Sequence, residues 1–314
     1  MISRLFRRKI GSDGVGGKPR VAYSCFVDSN FKFYKEVFRF IWSLREFQRV
    51  PYSDIYVTCS SCCDELFLRK LKEFGGINVI VRDRMTQVSP PANKWLQLDG
   101  IPEGRFSHVI VNDCDKLYVS FNPERWCNAN VRAAQFVPRP TFSVFEKIFS
   151  EFNLGQPESY TTKPDPKDPQ QDNRAYINNH NGGLLVFPAA HFSRIRDSWI
   201  QWIDALLANI EILGANHRNL DQVAFSLAMH DSGLKMDFIP KSLDLALGVR
   251  HFQDRWMKKG ELILHIHGDD DEYGRLVPKP SASSELRNLT ADLNEKYSTW
   301  ADENGVFELL DEVR

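Results

Sequence analysis

The segment His108-Val109-Ile110-Val111-Asn112-Asp113-Cys114-Asp115 decides the reading of this chain. Its first half is a short apolar run rich in β-branched residues, which fits a central parallel strand better than a helix. In an extended chain residues i and i+2 point the same way. Asp113 and Asp115 are therefore expected to converge just past the strand's carboxyl end, the edge where open α/β sheets bind ligands. Two hard oxygen donors there suit a Mg²⁺ or Mn²⁺ ion that also holds phosphate oxygens. Aspartate also closes strands as a turn residue, and on this stretch alone the two readings stand level.

Outward from it, strands and helices alternate. Residues 21–26 read as a first strand, ending at Val27-Asp28-Ser29-Asn30. Phe31, Tyr34, Phe38 and Ile41 then recur at helical spacing. A second strand at 54–58 leads to a helix marked by Leu66, Leu68, Leu71 and Phe74, stopped by Gly75-Gly76. A third strand at 77–81 and a loop with Pro90-Pro91 lead to a helix start at Asn93-Lys94-Trp95-Leu96. Strands separated by helices imply crossover connections, hence an α/β fold with a mostly parallel sheet.

Beyond Asp115, residues 155–173 form a polar, proline-rich loop, read as a lid between two site segments. Asn181-Gly182-Gly183 precede a strand at 184–187, and the glycines allow either close backbone approach or an unusual turn. Ile195, Trp199, Trp202, Leu206 and Ile210 share a helical stripe, so the tryptophans read as core. Asn219 is an expected N-cap with Asp221 in the first turn, which leaves Gln222 unexplained. Residues 261–268 alternate like a strand, with Ile263, His265 and His267 on one face and a histidine available to a metal site. Asp269-Asp270-Asp271-Glu272 reads as a solvated acidic turn.

The 314 residues suffice for one large α/β domain or two small ones. A net charge of −1 gives no basic field for nucleic acid. No apolar run approaches a membrane span, and the amino-terminal stretch lacks the apolar core of a secretory signal. Six cysteines without a second close-spaced pair read as reduced thiols of a cytoplasmic protein. The expected organisation is a basic flexible tail (1–20), one domain (21–280) and a helical extension (281–314). The tail is read as disordered, and its first twelve residues also as a weak peripheral membrane contact.

In order, these segments resemble a GT-A-type glycosyltransferase of the glycogenin-like and lipopolysaccharide-galactosyltransferase-like family. Val27-Asp28-Ser29-Asn30 resembles its nucleotide-binding turn and Asp113-Cys114-Asp115 its Asp-x-Asp motif. Asn181-Gly182-Gly183-Leu184 resembles its Asn-x-Gly segment, Asp221-Gln222 its Asp-Gln pair, and His265-Ile266-His267-Gly268 its His-Phe-x-Gly motif with Ile for Phe. The family's Lys-Pro-Trp is absent, and an acidic run stands there instead. The resemblance implies a GT-A, Rossmann-like fold and metal-dependent transfer of a sugar, with retained configuration. The donor is a nucleotide-diphosphate sugar, a UDP-sugar by expectation, and the acceptor a hydroxyl of a glycan, lipid-linked or protein partner in surface polysaccharide or glycoconjugate synthesis. It implies Mn²⁺ or Mg²⁺ on Asp113, Asp115 and His265, with His265 chosen over His267 because only His265 has glycine at the family's spacing. Asp28, Asn30, Lys94, Asp113 and Gly183 are implied donor-binding residues, and Asn181, Asp221 and Gln222 catalytic ones.

Two other readings compete. A haloacid-dehalogenase-like phosphohydrolase also uses aspartates at i and i+2 after a strand, with Asp269 to Asp271 imitating its later acidic pair, but Leu117 stands where that family has Thr or Val. A non-catalytic nucleotide-sugar-binding protein on the same fold is the other.

Overall fold

Residues 21–27 send alternate side chains into two apolar environments, as a strand covered on both faces must. In the computed structural model they form β1 (Val21–Val27): Val21, Tyr23, Cys25 and Val27 enter one core and Ala22 the other. The structure describes residues 19–135, 140–162, 172–234, 236–240, 244–246, 260–280 and 282–314. The first twelve residues and residues 163–171 of the 155–173 loop fall outside them, and with them the expected membrane contact and the middle of the expected lid.

After β1 come α1 (Phe31–Glu46), β2 (Ile55–Ser60), α2 (Glu65–Glu73) and β3 (Asn78–Arg82). Asn30 caps α1 by accepting from the Lys32 amide, and Asp64 caps α2 by accepting from those of Leu66 and Phe67. Gly75 and Gly76, both at positive φ, turn the chain off α2 as expected. A 3₁₀ stretch (Pro90–Leu98) precedes β4 (His108–Asn112) and β5 (Lys116–Ser120). The middle of the chain adds α3 (Pro123–Trp126), β6 (Val131–Gln135), α4 (Phe142–Glu151), β7 (Ser159–Thr161), β8 (Arg174–Tyr176) and β9 (His180–Pro188). Then follow α5 (Phe192–Ala208), a 3₁₀ stretch (Ile210–Asn219), α6 (Leu220–Ser232), β10 (Met236–Ile239), β11 (Asp244–Ala246), β12 (Leu262–His265), α7 (Ser284–Glu303) and α8 (Val306–Glu312).

Seven strands form the central sheet in the order β10-β6-β9-β4-β1-β2-β3. Only β9 runs against its neighbours; the other pairings are parallel. The α/β fold with a mostly parallel sheet flanked by helices is therefore present. One face carries α1, α2, α7 and α8, with Phe38, Ile41, Leu71, Leu293 and Tyr297 in its core. The opposite face carries α4, α5 and α6, with Phe145, Trp199, Phe225 and Leu227. Trp199 is buried there, its indole donating to the Asp221 carbonyl at 2.9 Å, so the tryptophan stripe is core as expected. A smaller sheet, β11-β12-β5, lies beside the end of β4.

Three local expectations are corrected. β4 ends at Asn112, and residues 113–115 form a turn rather than an extended tail, closed by Lys116 N–H to Asp113 O at 3.3 Å. The strand containing 184–187 starts earlier, at His180, so Gly182 and Gly183 lie inside a strand. The strand at 261–268 stops at His265, and His267 adopts a left-handed conformation with φ of 51°.

Candidate active site

The carboxyl edge of β1 and β4 opens into a pocket of about 430 Å³. Its walls include Asp28 just after β1, Lys32 and Glu36 from the first turns of α1, Lys94, the turn Asp113 to Asp115, Asn181, Asp221 and Gln222, and His265 and His267. A cavity of similar size on the outer side of α2 draws on residues of that helix alone and gathers no converging polar groups.

Strand β9 brings the pieces together because it is antiparallel. Leu184 pairs with Asn112, so the amino end of β9 lies beside the carboxyl end of β4. The Asp113 amide donates to the Gly183 carbonyl at 3.0 Å. A Cβ on Gly183 would stand 2.7 Å from Asp113 Oδ2, 3.0 Å from Asn181 Oδ1 and 3.1 Å from His265 Cε1. On Gly182 it would stand 3.0 Å from Gln222 Cγ and 3.2 Å from Asp221 Oδ2. Close backbone approach is what these glycines provide.

Two groups of side chains divide the pocket. In the first, Lys94 Nζ lies 2.5 Å from Asp113 Oδ1, 3.2 Å from the Gly182 carbonyl and 3.5 Å from Asp221 Oδ2. Burial disfavours the Lys94 ammonium, but Asp113 and Asp221 outweigh it and hold the pKa above its ordinary value. Burial pushes the Asp221 carboxyl up, Lys94 restrains it, and Asp113 adds to the rise. Asp221 Oδ1 and Gln222 Oε1 are buried without a hydrogen-bond partner among the described residues. Buried polar atoms of that kind call for a partner from outside the chain.

In the second group, β12 docks antiparallel on β5, pairing His265 with Lys116. His265 Nε2 then lies 3.2 Å from Asp115 Oδ1 and 3.9 Å from Asp113 Oδ2. The His267 amide donates to Asp115 Oδ2 at 3.2 Å, and the two imidazole centres are 3.5 Å apart. The ligand atoms of Asp115, His265 and His267 all lie within 4.8 Å of one another. Burial would raise both turn carboxylates, yet Lys94 overrides it at Asp113 and His265 at Asp115, so both sit below the ordinary range. Ionised oxygen and imidazole nitrogen gathered this closely fit a divalent cation.

The expected ligand set was Asp113, Asp115 and His265. The tightest group instead has His267 in the place of Asp113, one of whose oxygens is taken by Lys94. His267 reaches the group through its left-handed turn, not through strand alternation.

Asp28 lines the pocket, but its Oδ1 already accepts from the Ser29 amide and from Arg84, at 2.8 and 2.5 Å. Asn30 uses its side-chain oxygen to cap α1 and is not among the lining residues. Within the 269–272 run, read as solvated, the Asp270 side chain is instead buried between Lys35, at 2.9 Å, and Arg39, at 2.5 Å, and Asp271 pairs with Arg275, while Glu272 is exposed. Neither aspartate lines the pocket, which removes the acidic pair that the phosphohydrolase reading needs.

Glu36 and Arg84 escaped the sequence reading. Only Glu36 left a signal there: a glutamate flanked by Lys35, Val37 and Phe38 in an apolar helix. Arg84 comes from a segment without periodicity.

No protein-family model matches the chain, and no curated protein matches it. Among solved structures it is similar to the WbbM bifunctional glycosyltransferase, at 11% identity and a TM-score of 0.48, covering 92% of this chain and 52% of that one. It is similar to the apo glycosyltransferase GlyE of Streptococcus pneumoniae TIGR4, at 14% identity and 0.47, over 94% of this chain and 63% of that one. It is also similar to the galactosyltransferase LgtC in complex with donor and acceptor sugar analogues, at 12% and 0.44, over 87% and 95%. The chain thus spans about half of WbbM and less than two thirds of GlyE. At these scores the likeness stands beside the side-chain geometry and adds no weight to it.

Proposed function

We propose that the chain is a metal-dependent glycosyltransferase that moves a sugar from a nucleotide-diphosphate donor, a UDP-sugar by preference, to an acceptor hydroxyl. One observation carries the reading: an ionised carboxylate and two imidazoles gather beside a lysine–aspartate pair at the carboxyl edge of an α/β sheet. Asp115, His265 and His267 are the proposed ligands, with Asp113 bridging to the lysine side. Two imidazoles steer the site away from Mg²⁺ and the carboxylate keeps it hard, so Mn²⁺ suits the mixture best. When bound, the cation supplies Lewis-acid neutralisation of the charge developing on the leaving diphosphate.

The chain's own groups do the rest. Lys94 fixes Asp113 and Asp221 relative to each other and adds positive charge beside the phosphates. Asp221 Oδ1 and Gln222 Oε1, lacking partners among the described residues, accept from sugar hydroxyls, and Asn181 orients the same ring. Asp28 keeps one carboxylate oxygen for the base. The acceptor is a glycan, lipid-linked or protein hydroxyl.

A thermal-shift titration against nucleotide sugars, with and without Mn²⁺, tests this. One donor at a hundredfold excess over its Kd adds about 2.7 kcal/mol, a rise of about 5 °C for a chain of this size. The shift should need Mn²⁺ and vanish in Asp115→Ala. A folded protein that responds to no donor, yet releases phosphate from a model ester, overturns the reading.

A further inference from the structure

Glu36 is the buried charge that the site as described does not use. It sits on the second turn of α1, is 1% exposed and lines the pocket beside Cys114 and Asp115. Its Oε2 is 3.5 Å from the Cys114 thiol, while its Oε1 is buried with no hydrogen-bond partner among the described residues. A carboxylate removed from water needs compensating charge or hydrogen bonds. Against burial and Asp115, the cations Lys32 and Arg39 of its own helix favour its charge. Lys35 and Arg39 are committed to Asp270 and to the carbonyls of Asp271 and Gly274. Lys32, half in solvent, stands 3.6 Å off. Burial, then Asp115, pushes the Glu36 carboxyl up to about 7. This corner thus holds a buried carboxylate whose Oε1 has no hydrogen-bond partner among the described residues and whose ion pair, with Lys32, is half exposed.

We infer that Glu36 is an outer-sphere carboxylate of the divalent-cation site, accepting a hydrogen bond through Oε1 from a water on the ion and supplying negative charge that the two imidazoles lack. This rests on the cation site proposed above. Glu36 falls outside the group whose ligand atoms lie within 4.8 Å of one another, which is why the role assigned to it runs through an intervening water and not through direct ligation. A dication held beside Asp115 would compensate both the burial of the Glu36 charge and its repulsion by Asp115.

The test is Mn²⁺ binding to the full chain, followed by loss of the free-ion paramagnetic resonance signal, with and without UDP. Outer-sphere partners typically tune affinity about 10–100-fold, so Glu36→Gln should weaken Mn²⁺ at least tenfold. The metal-free melting temperature of that variant should hold or rise, since a buried charge is lost. A merely structural Glu36 would lower the melting temperature and leave Mn²⁺ affinity alone. Wild-type binding with Glu36→Gln within twofold of it overturns the outer-sphere role and leaves the cation site standing. Failure of the wild type to bind Mn²⁺ under either condition overturns both. Should Glu36→Gln not fold, Lys32→Met keeps the carboxylate and removes its neighbouring ammonium; Mn²⁺ should then bind about twofold tighter, a surface-pair effect, and unchanged or weaker binding counts against the inference.

Discussion

One oxygen of Asp113 lies 2.5 Å from the Lys94 ammonium, and the other lies 3.9 Å from the His265 imidazole. A single half-buried carboxylate thus joins the histidine side of the pocket to the side that carries Asp221 and Gln222. Whatever alters the charge on one side is felt on the other.

Replacing Lys94 should separate the two sides. Lys94→Met leaves Asp113 and Asp221 facing each other without their shared cation, a cost of about 2–3 kcal/mol for a pair that is not fully buried. Donor binding should disappear while Mn²⁺ affinity holds or rises, because a competing cation has gone. Urea unfolding and a Mn²⁺ titration on one preparation check both; a parallel fall in metal affinity would show that Lys94 supports the histidine side directly.

Adding a methyl group at Gly183 should damage the cation site more than the fold. The new Cβ meets Asp113 Oδ2 at 2.7 Å, on a carboxylate pinned by Lys94. Gly182→Ala meets Gln222 Cγ at 3.0 Å and Asp221 Oδ2 at 3.2 Å, neither of them in the Asp115–His265–His267 group. Mn²⁺ affinity is expected to fall about tenfold in Gly183→Ala, the scale of a displaced metal partner, and to change little in Gly182→Ala. Calorimetric titration of both variants decides it.

Acid should destabilise the protein through His180. Burial holds its pKa down at about 3, against an ordinary 6.5. The folded pKa lies below the unfolded one, so between these values the unfolded chain binds more protons. The contribution is complete above pH 6.5 and shrinks as the pH falls towards 3, reaching a loss of about 2 kcal/mol at pH 5. Urea unfolding at pH 8 and pH 5 should show that much less acid sensitivity in His180→Gln, whatever the absolute stability of the variant. Equal sensitivity in both proteins would contradict the burial argument.

Removing the carboxylate that holds α1 against the loop after β12 should cost stability. Asp270→Asn leaves Arg39 and Lys35 buried beside a neutral amide, an expected loss of about 3 kcal/mol. A double-mutant cycle with Arg39→Met should show strong coupling in the unfolding free energy. Additive effects would mean that the two side chains act separately.

The fold and the placing of a carboxylate pair at the sheet edge were legible because each leaves a local trace. Apolar runs with β-branched residues marked β1, β2 and β4, and Asp113 with Asp115 announced the sheet edge. The conformations that aim these residues were not legible. Asp113 and Asp115 share the pocket through a turn, and His267 joins it through a left-handed residue, neither of which is written in residue spacing. The 269–272 run misled because its burial depends on Lys35 and Arg39, in α1. Arg84 on Asp28 is likewise a tertiary pairing, 56 positions apart in the chain.

The pairing of β12 with β5 sets an order of events for a chain being made or refolded. His267 and Asp115, joined by a hydrogen bond, are 152 positions apart. Until β12 arrives, β5 has no antiparallel neighbour on that side, and the carboxylates at the end of β4 have no imidazole beside them. Contacts of such long range form late because loop closure must be met first. The proposed capacity to bind an ion should therefore appear only after the main sheet is in place, so that Mn²⁺ uptake, if the chain binds it, would time the docking of β12.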